Sequence, residues 1–267
     1  MSYLVCIDPG HAKNTAGKRS PDSALREYEF NRDVAKRLKT ILERHGVQTI
    51  FSCNIESDVD ASLASRCKVA NNAQADLFVS IHANAHGDGS DWTTGNGWEI
   101  FYCKGSQKGR QLAEYLHQES IALLGLRDRG LKTDSLYVTK NTKMPAVLIE
   151  HGFFTNLEEC AKLMSSDFRE SCAIADARGI LKYLGIAYVK EAPKPQAPVV
   201  TPIPSGLPYQ IRITCDALNV RGGPGVHYPR NTVIRDKKKY TVVEEQKGWG
   251  RLKSGAGWIS LAYVEKV

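Results

Sequence analysis

Residues 76–85 read DLFVSIHANA, and the heart of that stretch, LFVSI (77–81), decides the fold. A short apolar run without regular polar alternation marks a strand buried on both faces, the condition of a parallel sheet covered by helices. Two other runs match it, YLVCI (3–7) and AVLIE (146–150). Helical patterns lie between them. Phe30, Val34, Leu38, Ile41 and Leu42 recur at helical spacing, and Gly46 is a natural stop. Further helices are expected across Leu63 to Ala73, Ser106 to Leu124 and Asp167 to Leu184, and further strands at GVQTIFS (46–52) and WEIFYC (98–103). This alternation predicts an α/β domain over residues 1–187, with a mostly parallel twisted sheet flanked by helices. Ligands of such sheets gather at the carboxyl ends of the strands.

Beyond that domain the chain changes character. Residues 190–208, KEAPKPQAPVVTPIPSGLP, hold six of the eleven prolines, so 188–208 is expected to be an extended spacer. Residues 209–267 show no helical pattern. Short segments such as YQIRIT, ALNVR, YTVVEEQ and GWGRLK are separated by Gly, Pro, Asp and Asn, which predicts a small all-β barrel.

Charge follows the same division. The net charge of +7 is absent from residues 1–187, where 23 Lys and Arg balance 23 Asp and Glu. Residues 209–267 carry 11 basic against five acidic side chains. Such a surface attracts polyanions, whether nucleic acid, anionic lipid or anionic wall polymer, and charge alone does not choose among them. No segment is long and apolar enough to span a bilayer, so membrane insertion is not expected. The N-terminus MSYLVCIDPGH lacks a basic leader and reads as a buried strand, which predicts synthesis in the cytoplasm without a signal peptide. Seven cysteines form no regular framework and fit reduced thiols.

Three polar residues follow or end the apolar strands: His11 after LVCIDPG, His82 after LFVSI, and Glu150 at the end of AVLIE. Parallel strands would carry all three to one edge of the sheet. Glu27 lies just before the first helix and could reach the same place. Two histidines and a carboxylate, with a fourth position open, make a catalytic zinc set. A further carboxylate must then take a proton from water and pass it to a leaving group, and Glu150 suits that task. The spacing is long and irregular, so the pattern alone leaves loop or surface roles open for each residue.

In context these segments resemble the zinc-dependent N-acetylmuramoyl-L-alanine amidases of autolysins, spore-wall hydrolases and phage endolysins. The resemblance rests on CIDPGH (6–11), REYEFN (26–31), SLASRCKVAN (62–71), DLFVSIHANA (76–85) and PAVLIEHGFFTN (145–156), in family order. It implies one zinc ion held by His11, Glu27 and His82, with Glu150 as general base. It also implies cleavage of the amide between N-acetylmuramic acid and the first L-alanine of the stem peptide. Glu29 is the rival of Glu27, two residues away. Asn84 is a candidate substrate contact, while Arg66 and Asn71 are expected to be supporting residues. Ala12-Lys13 and Ser52-Cys53-Asn54 depart from the usual family pattern in loops that select substrate.

Residues 209–267 resemble bacterial SH3-like wall-targeting modules, through ALNVRGGPGVHYP (217–229), GWGRLK (248–253) and GWISLAYV (257–264). Trp249 and Trp258 are then candidate wall contacts, with filling of the barrel core as the equal alternative. The implied partners are peptidoglycan and anionic wall polymers, not nucleic acid. A phage or prophage lysis enzyme acting on the wall after release is the expectation. The competing readings are a zinc peptidase of stem peptides and a non-catalytic wall-binding protein.

Overall fold

The computed structural model describes residues 3–190, 207–225, 228–246 and 248–267. The chain divides into two compact units, Met1–Val189 and Lys190–Val267. Most of the expected spacer, residues 191–206, lies outside the described residues.

The first unit is an α/β fold. Its strands are β1 (Leu4–Pro9), β2 (Gln48–Phe51), β3 (Leu77–Asn84), β4 (Trp98–Tyr102), β5 (Asp128–Thr133) and β6 (Ala146–Phe153). They form one sheet in the order β2-β1-β3-β6-β4-β5. The neighbours pair in parallel except β4 with β6, which is antiparallel, so the sheet is mixed. The reversal follows from the connection that precedes it. Residues 85–97, AHGDGSDWTTGNG, contain turn formers and no helix, so the chain folds back at the end of β3.

Strand periodicity decides what each face carries. Val5 and Ile7, Leu77, Val79 and Ile81, and Val147 and Ile149 point to one face, where they join the main core. Helices α1 (Glu27–Arg44), α3 (Gln107–Leu124) and α6 (Ser166–Tyr183) cover it. Phe30 and Leu38 of α1 are fully buried there, each stabilising by about 1.5–3 kcal/mol. On the other face Cys6, Phe78, Ala146 and Leu148 pack with Cys67, Ala70 and Val138. Among the described residues, α2 (Leu63–Asn72) and the short α4 (Tyr137–Asn141) are the helices that supply that second cover. Part of this face is left open as a cleft of about 380 Å³.

Three elements carry weak sequence signals. β5 reads DRGLKT, with one large aliphatic residue and an edge position. α4 has five residues. α5 (Leu157–Met164) is announced by Asn156, whose side chain accepts from the Glu159 amide at 3.1 Å. An Asn followed three residues later by Glu is a helix-start signature.

The second unit is antiparallel throughout. Its strands, β7 (Tyr209–Ile213), β8 (Leu218–Arg221), β9 (Arg230–Ile234), β10 (Lys239–Gln246), β11 (Trp249–Leu252), β12 (Trp258–Ser260) and β13 (Val264–Lys266), are ordered β13-β7-β10-β11-β12-β8-β9. Alternation in β7 buries Tyr209, Ile211 and Ile213 and exposes Gln210 and Arg212. Their core partners include Leu218, Val220, Val242, Leu252, Ile259 and Leu261. Among the described residues of the chain, no helix is long and apolar enough to cross a membrane.

Candidate metal centre

β3 and β6 run past His82 and Glu150, to Asn84 and Phe153, rather than ending at them. The two side chains therefore stand on the sheet near its carboxyl end, not at a strand terminus. They are register partners across the parallel pair. Both belong to the phase of Ser80 and Leu148, on the sheet face that carries the open cleft. His11 comes two residues after β1, in a left-handed conformation with φ 65°. That backbone state is uncommon for a side chain larger than glycine and accompanies functional constraint.

Glu27 opens α1 and is 1% exposed. It shares a helix face with Phe30, Asn31 and Val34, the spacing of a single inward stripe. Glu29 lies off that stripe, exposed to solvent, and accepts from its neighbour Tyr28 at 3.4 Å. The helical stripe therefore brings Glu27, and not Glu29, to the histidines.

The three side chains converge closely. Glu27 Oε1 lies 3.0 Å from His82 Nδ1, and Glu27 Oε2 lies 3.4 Å from His11 Nε2. The imidazoles meet edge to face, with centroids 5.0 Å apart. One potential ligand atom from each residue falls within 4.8 Å of the others. Asn31 braces the cluster by donating to Gly10 O at 2.9 Å and Glu27 Oε1 at 3.3 Å. Glu27 Oε2 is buried without a hydrogen-bond partner. An orphaned carboxylate oxygen beside two imidazoles suits a divalent cation, so the donor set fits zinc.

For His11 and Glu27 the protonation states favour metal ligation, whereas at His82 burial is outweighed by the hydrogen bond and charge of Glu27, which raise it above the usual imidazole range. Burial, and then the charge of His82, hold His11 down at about 4 against the pull of Glu27, which leaves it neutral at pH 7. Burial opposes ionisation of Glu27, but its hydrogen bond to His82 and the nearby cationic groups outweigh that and keep it below the usual carboxylate range. Glu150 behaves oppositely. Burial, reinforced by Glu27 and opposed by His82, pushes it up to about 8. Its Oε2 is likewise buried and without a partner.

A buried ionic network supports the His11 loop. The guanidinium of Arg66 donates to Asp8 Oδ1 at 2.7 Å, to Pro9 O at 2.8 Å and to Asp60 Oδ1 at 2.7 Å. Asp8 also accepts from Ser80 at 2.6 Å and from Ser52. Asp60 in turn accepts from Thr15 at 2.6 Å and lies 3.9 Å from His11 Nδ1. Asn71 ties α2 to the α4 segment through Asn141 O and the Lys143 amide.

The remaining candidates are placed as follows. Asn84 lines the cleft, and its amide donates to Glu99 Oε1 at 2.7 Å. Glu99 stands opposite Glu150 across the antiparallel pair and is held by Arg129 at 2.6 Å and Lys132 at 2.7 Å. His151 takes the opposite phase from Glu150, inside the core, 3.1 Å from Asp176. In the second unit Trp258 is buried, while Trp249 is half-buried on a separate cavity with Arg221 and Tyr263. Sequence reasoning did not single out Glu99, Lys18 or Gly10. Glu99 was legible as a lone charge in WEIFYC, on the same alternation as Phe101. Lys18, in a loop, carries no such signal.

Gly10 has a steric role. A Cβ there would overlap the His82 ring. Gly10→Ala is expected to push the imidazole out of the cluster and lower zinc content at least tenfold, as read by metal analysis of purified protein. Wild-type zinc content in this variant would show that the close approach is dispensable.

Comparison with known proteins identifies the family of the α/β unit. The N-acetylmuramoyl-L-alanine amidase family (Amidase_3) matches residues 5–182, from β1 into α6. The chain is 39% identical over 185 residues to the N-acetylmuramoyl-L-alanine amidase LytC of Bacillus subtilis, covering 68% of this chain and 36% of that protein. It thus spans about a third of LytC's length. It is 33% identical over 189 residues to the endolysin of Bacillus phage SPP1, covering 70% of this chain and 68% of that one. Among solved structures, the catalytic domain of the amidase CwlV from Bacillus (Paenibacillus) polymyxa var. colistinus superposes with a TM-score of 0.64 at 32% identity, covering 69% of this chain and 99% of that one. The N-acetylmuramoyl-L-alanine amidase of Clostridium difficile 630 gives 0.64 at 34% identity, covering 69% and 97%. From the first strand to the last helix of its α/β unit, the chain belongs to the N-acetylmuramoyl-L-alanine amidase family.

Proposed function

We propose that the chain hydrolyses the amide between the lactyl group of N-acetylmuramic acid and the first L-alanine of the peptidoglycan stem, using one zinc ion held by His11, Glu27 and His82. The convergence of these side chains within 4.8 Å, with Glu150 in register beside His82, is the observation that carries the reading. When bound, zinc would polarise the scissile carbonyl and acidify water in the cleft.

The chain's own groups supply the rest. Glu150 takes a proton from the attacking water and returns it to the departing amine of L-alanine. A carboxyl raised towards neutrality suits both halves of that exchange. Glu27 keeps the two imidazoles facing one another, and Asn84 meets the substrate at the cleft wall. Arg129 and Lys132 neutralise Glu99, so it does not add a second free negative charge beside Glu150.

The second unit is read as an SH3-like module that holds the enzyme on the wall. Trp249 lines its cavity of about 490 Å³ and is the contact favoured by exposure, whereas Trp258 serves the core. The excess positive charge of residues 209–267 would add salt-sensitive attraction to anionic wall polymers. The likeness to the phage SPP1 endolysin supports a phage or prophage lysis enzyme that reaches the wall after release from the cell.

Digestion of purified peptidoglycan tests the reaction. Release of L-alanine amino termini, with intact sugar strands stripped of stems, is the expected result. Stems that stay attached to muramic acid through L-alanine, with cuts further along, would mean a peptidase instead. A protein that sediments with insoluble walls yet releases neither product would be a binding protein.

A further inference from the structure

Beside the cleft lies a second cavity of about 250 Å³, formed by the loop 12–19 together with Arg26 and Tyr28. Four of the residues lining it are cations, Lys13, Lys18, Arg19 and Arg26, and none is a carboxylate. Lys13 is paired with Asp58 at 3.1 Å. Arg19 and Arg26 have no carboxylate partner among the described residues. Arg26 is instead held in place by donating to Lys13 O at 3.2 Å.

The backbone sets these two arginines opposite each other. Arg19 and Arg26 are the two halves of an antiparallel bridge. The hydrogen bonds flanking it run from Glu27 N to Lys18 O at 3.0 Å and from Ser20 N to Leu25 O at 2.8 Å. This is the non-hydrogen-bonded type of pair, in which facing Cα atoms approach to about 4.5 Å and side chains are closest. Like charges in that position repel and destabilise. Two guanidinium groups without carboxylate partners, lining one cavity from facing positions, form an arrangement that an anion would relieve.

Lys18 fixes what kind of anion this is. It lines both this cavity and the cleft, and its Nζ lies 3.9 Å from Glu27 Oε2. The cavity therefore adjoins the proposed metal ligands. One or two peptide residues reach roughly 3.5–7 Å, so a group just past the scissile amide can enter it. We propose that the pocket of Lys18, Arg19 and Arg26 binds a free carboxylate on the stem peptide, carried by the acidic residue that follows the L-alanine. The guanidinium groups offer paired donors matched to a carboxylate, and the pocket makes this chain selective for stems in which that group is not amidated. The inference rests on the amidase reading above.

The test compares two muramoyl tripeptides, one with L-Ala-D-Glu-L-Lys and one with the D-Glu α-carboxylate converted to its amide. Wild-type protein is expected to show kcat/KM about tenfold higher for the acid. In the R19Q/R26Q variant that ratio should fall to within about twofold of unity, while its melting temperature should not drop, because a repulsion has been removed. Equal rates on both substrates in the wild type, or an unchanged ratio in the variant, overturns the proposal. A titration of L-alanyl-D-glutamate and its α-amide, followed by calorimetry, needs no turnover. Preferential binding of the acid, lost in R19Q/R26Q, supports the pocket even if no tripeptide is cleaved, which would instead defeat the amidase reading. Binding of glycerol phosphate without binding of the dipeptide acid would overturn the assignment in favour of a wall-polymer phosphate.

Discussion

Glu150→Gln is expected to fold, to retain zinc at wild-type content, and to lose two to four orders of magnitude in release of L-alanine amino termini. The carboxamide has the same shape and fills the same buried position, so packing against Leu148 and His82 is kept. It cannot accept the proton of the attacking water. The unpartnered Oε2 atom is what makes this substitution informative, because no structural hydrogen bond is lost with it. A rate within tenfold of wild type would remove Glu150 as the base. The carboxylate beside it on the neighbouring strand is Glu99, which Lys132 and Arg129 hold below the usual range against the effect of burial. A base stabilised in its ionised form by two cations is the poorer proton acceptor.

Arg66→Ala should have the largest effect on stability. Both Arg66 and Asp8 are 2% exposed as side chains. Removing the guanidinium leaves a buried carboxylate with only the hydroxyls of Ser52 and Ser80, a loss of about 3–5 kcal/mol. For a unit of this size that lowers the melting temperature by roughly 6–20 °C, measurable by calorimetry. The loop carrying His11 also loses the bond to Pro9 O, so zinc content should fall with stability. The double variant Asp8→Asn/Arg66→Met tests the cause, since removing both charges should recover part of the loss. A double variant as unstable as Arg66→Ala would show that packing, not the unpaired charge, sets the cost.

The two experiments probe different consequences of one arrangement. Asp8, Ser80, His82, Leu148 and Glu150 share a face because side chains alternate along strands. The buried half of that face, around Asp8, is held by ion pairing. The half that faces the cleft keeps the Glu150 carboxyl with an unpartnered oxygen, in register beside His82. Stability and chemistry are thus separated by a few ångströms along the same strands.

Much of this could be read directly. Apolar runs such as LFVSI and AVLIE are local statements about burial, so strands β1, β3 and β6 were legible, as were α1, α2, α3 and α6 from their periodicity. β5 was not, because an edge strand with one leucine need not look buried. The mixed character of the sheet was not either, since strand direction depends on how the 85–97 loop turns in space. For Glu27 against Glu29 the deciding signal was present in the register with Phe30, Asn31 and Val34, which places one glutamate inward and leaves the other in water.

By itself, then, the sequence determined the α/β alternation, the break in composition near residue 190, the concentration of positive charge at the C-terminal end, and the residue types able to hold a metal. These are properties of neighbouring residues, and hydrophobic periodicity records them. Only the tertiary structure decided that residues as far apart as 11, 27, 82 and 150 meet, that Gly10 must make room for His82, and that Arg19 and Arg26 pair side by side on a cavity lined by no acid. Each of these depends on which strands pair and in which register, and that is settled by packing of the whole sheet rather than by any local stretch.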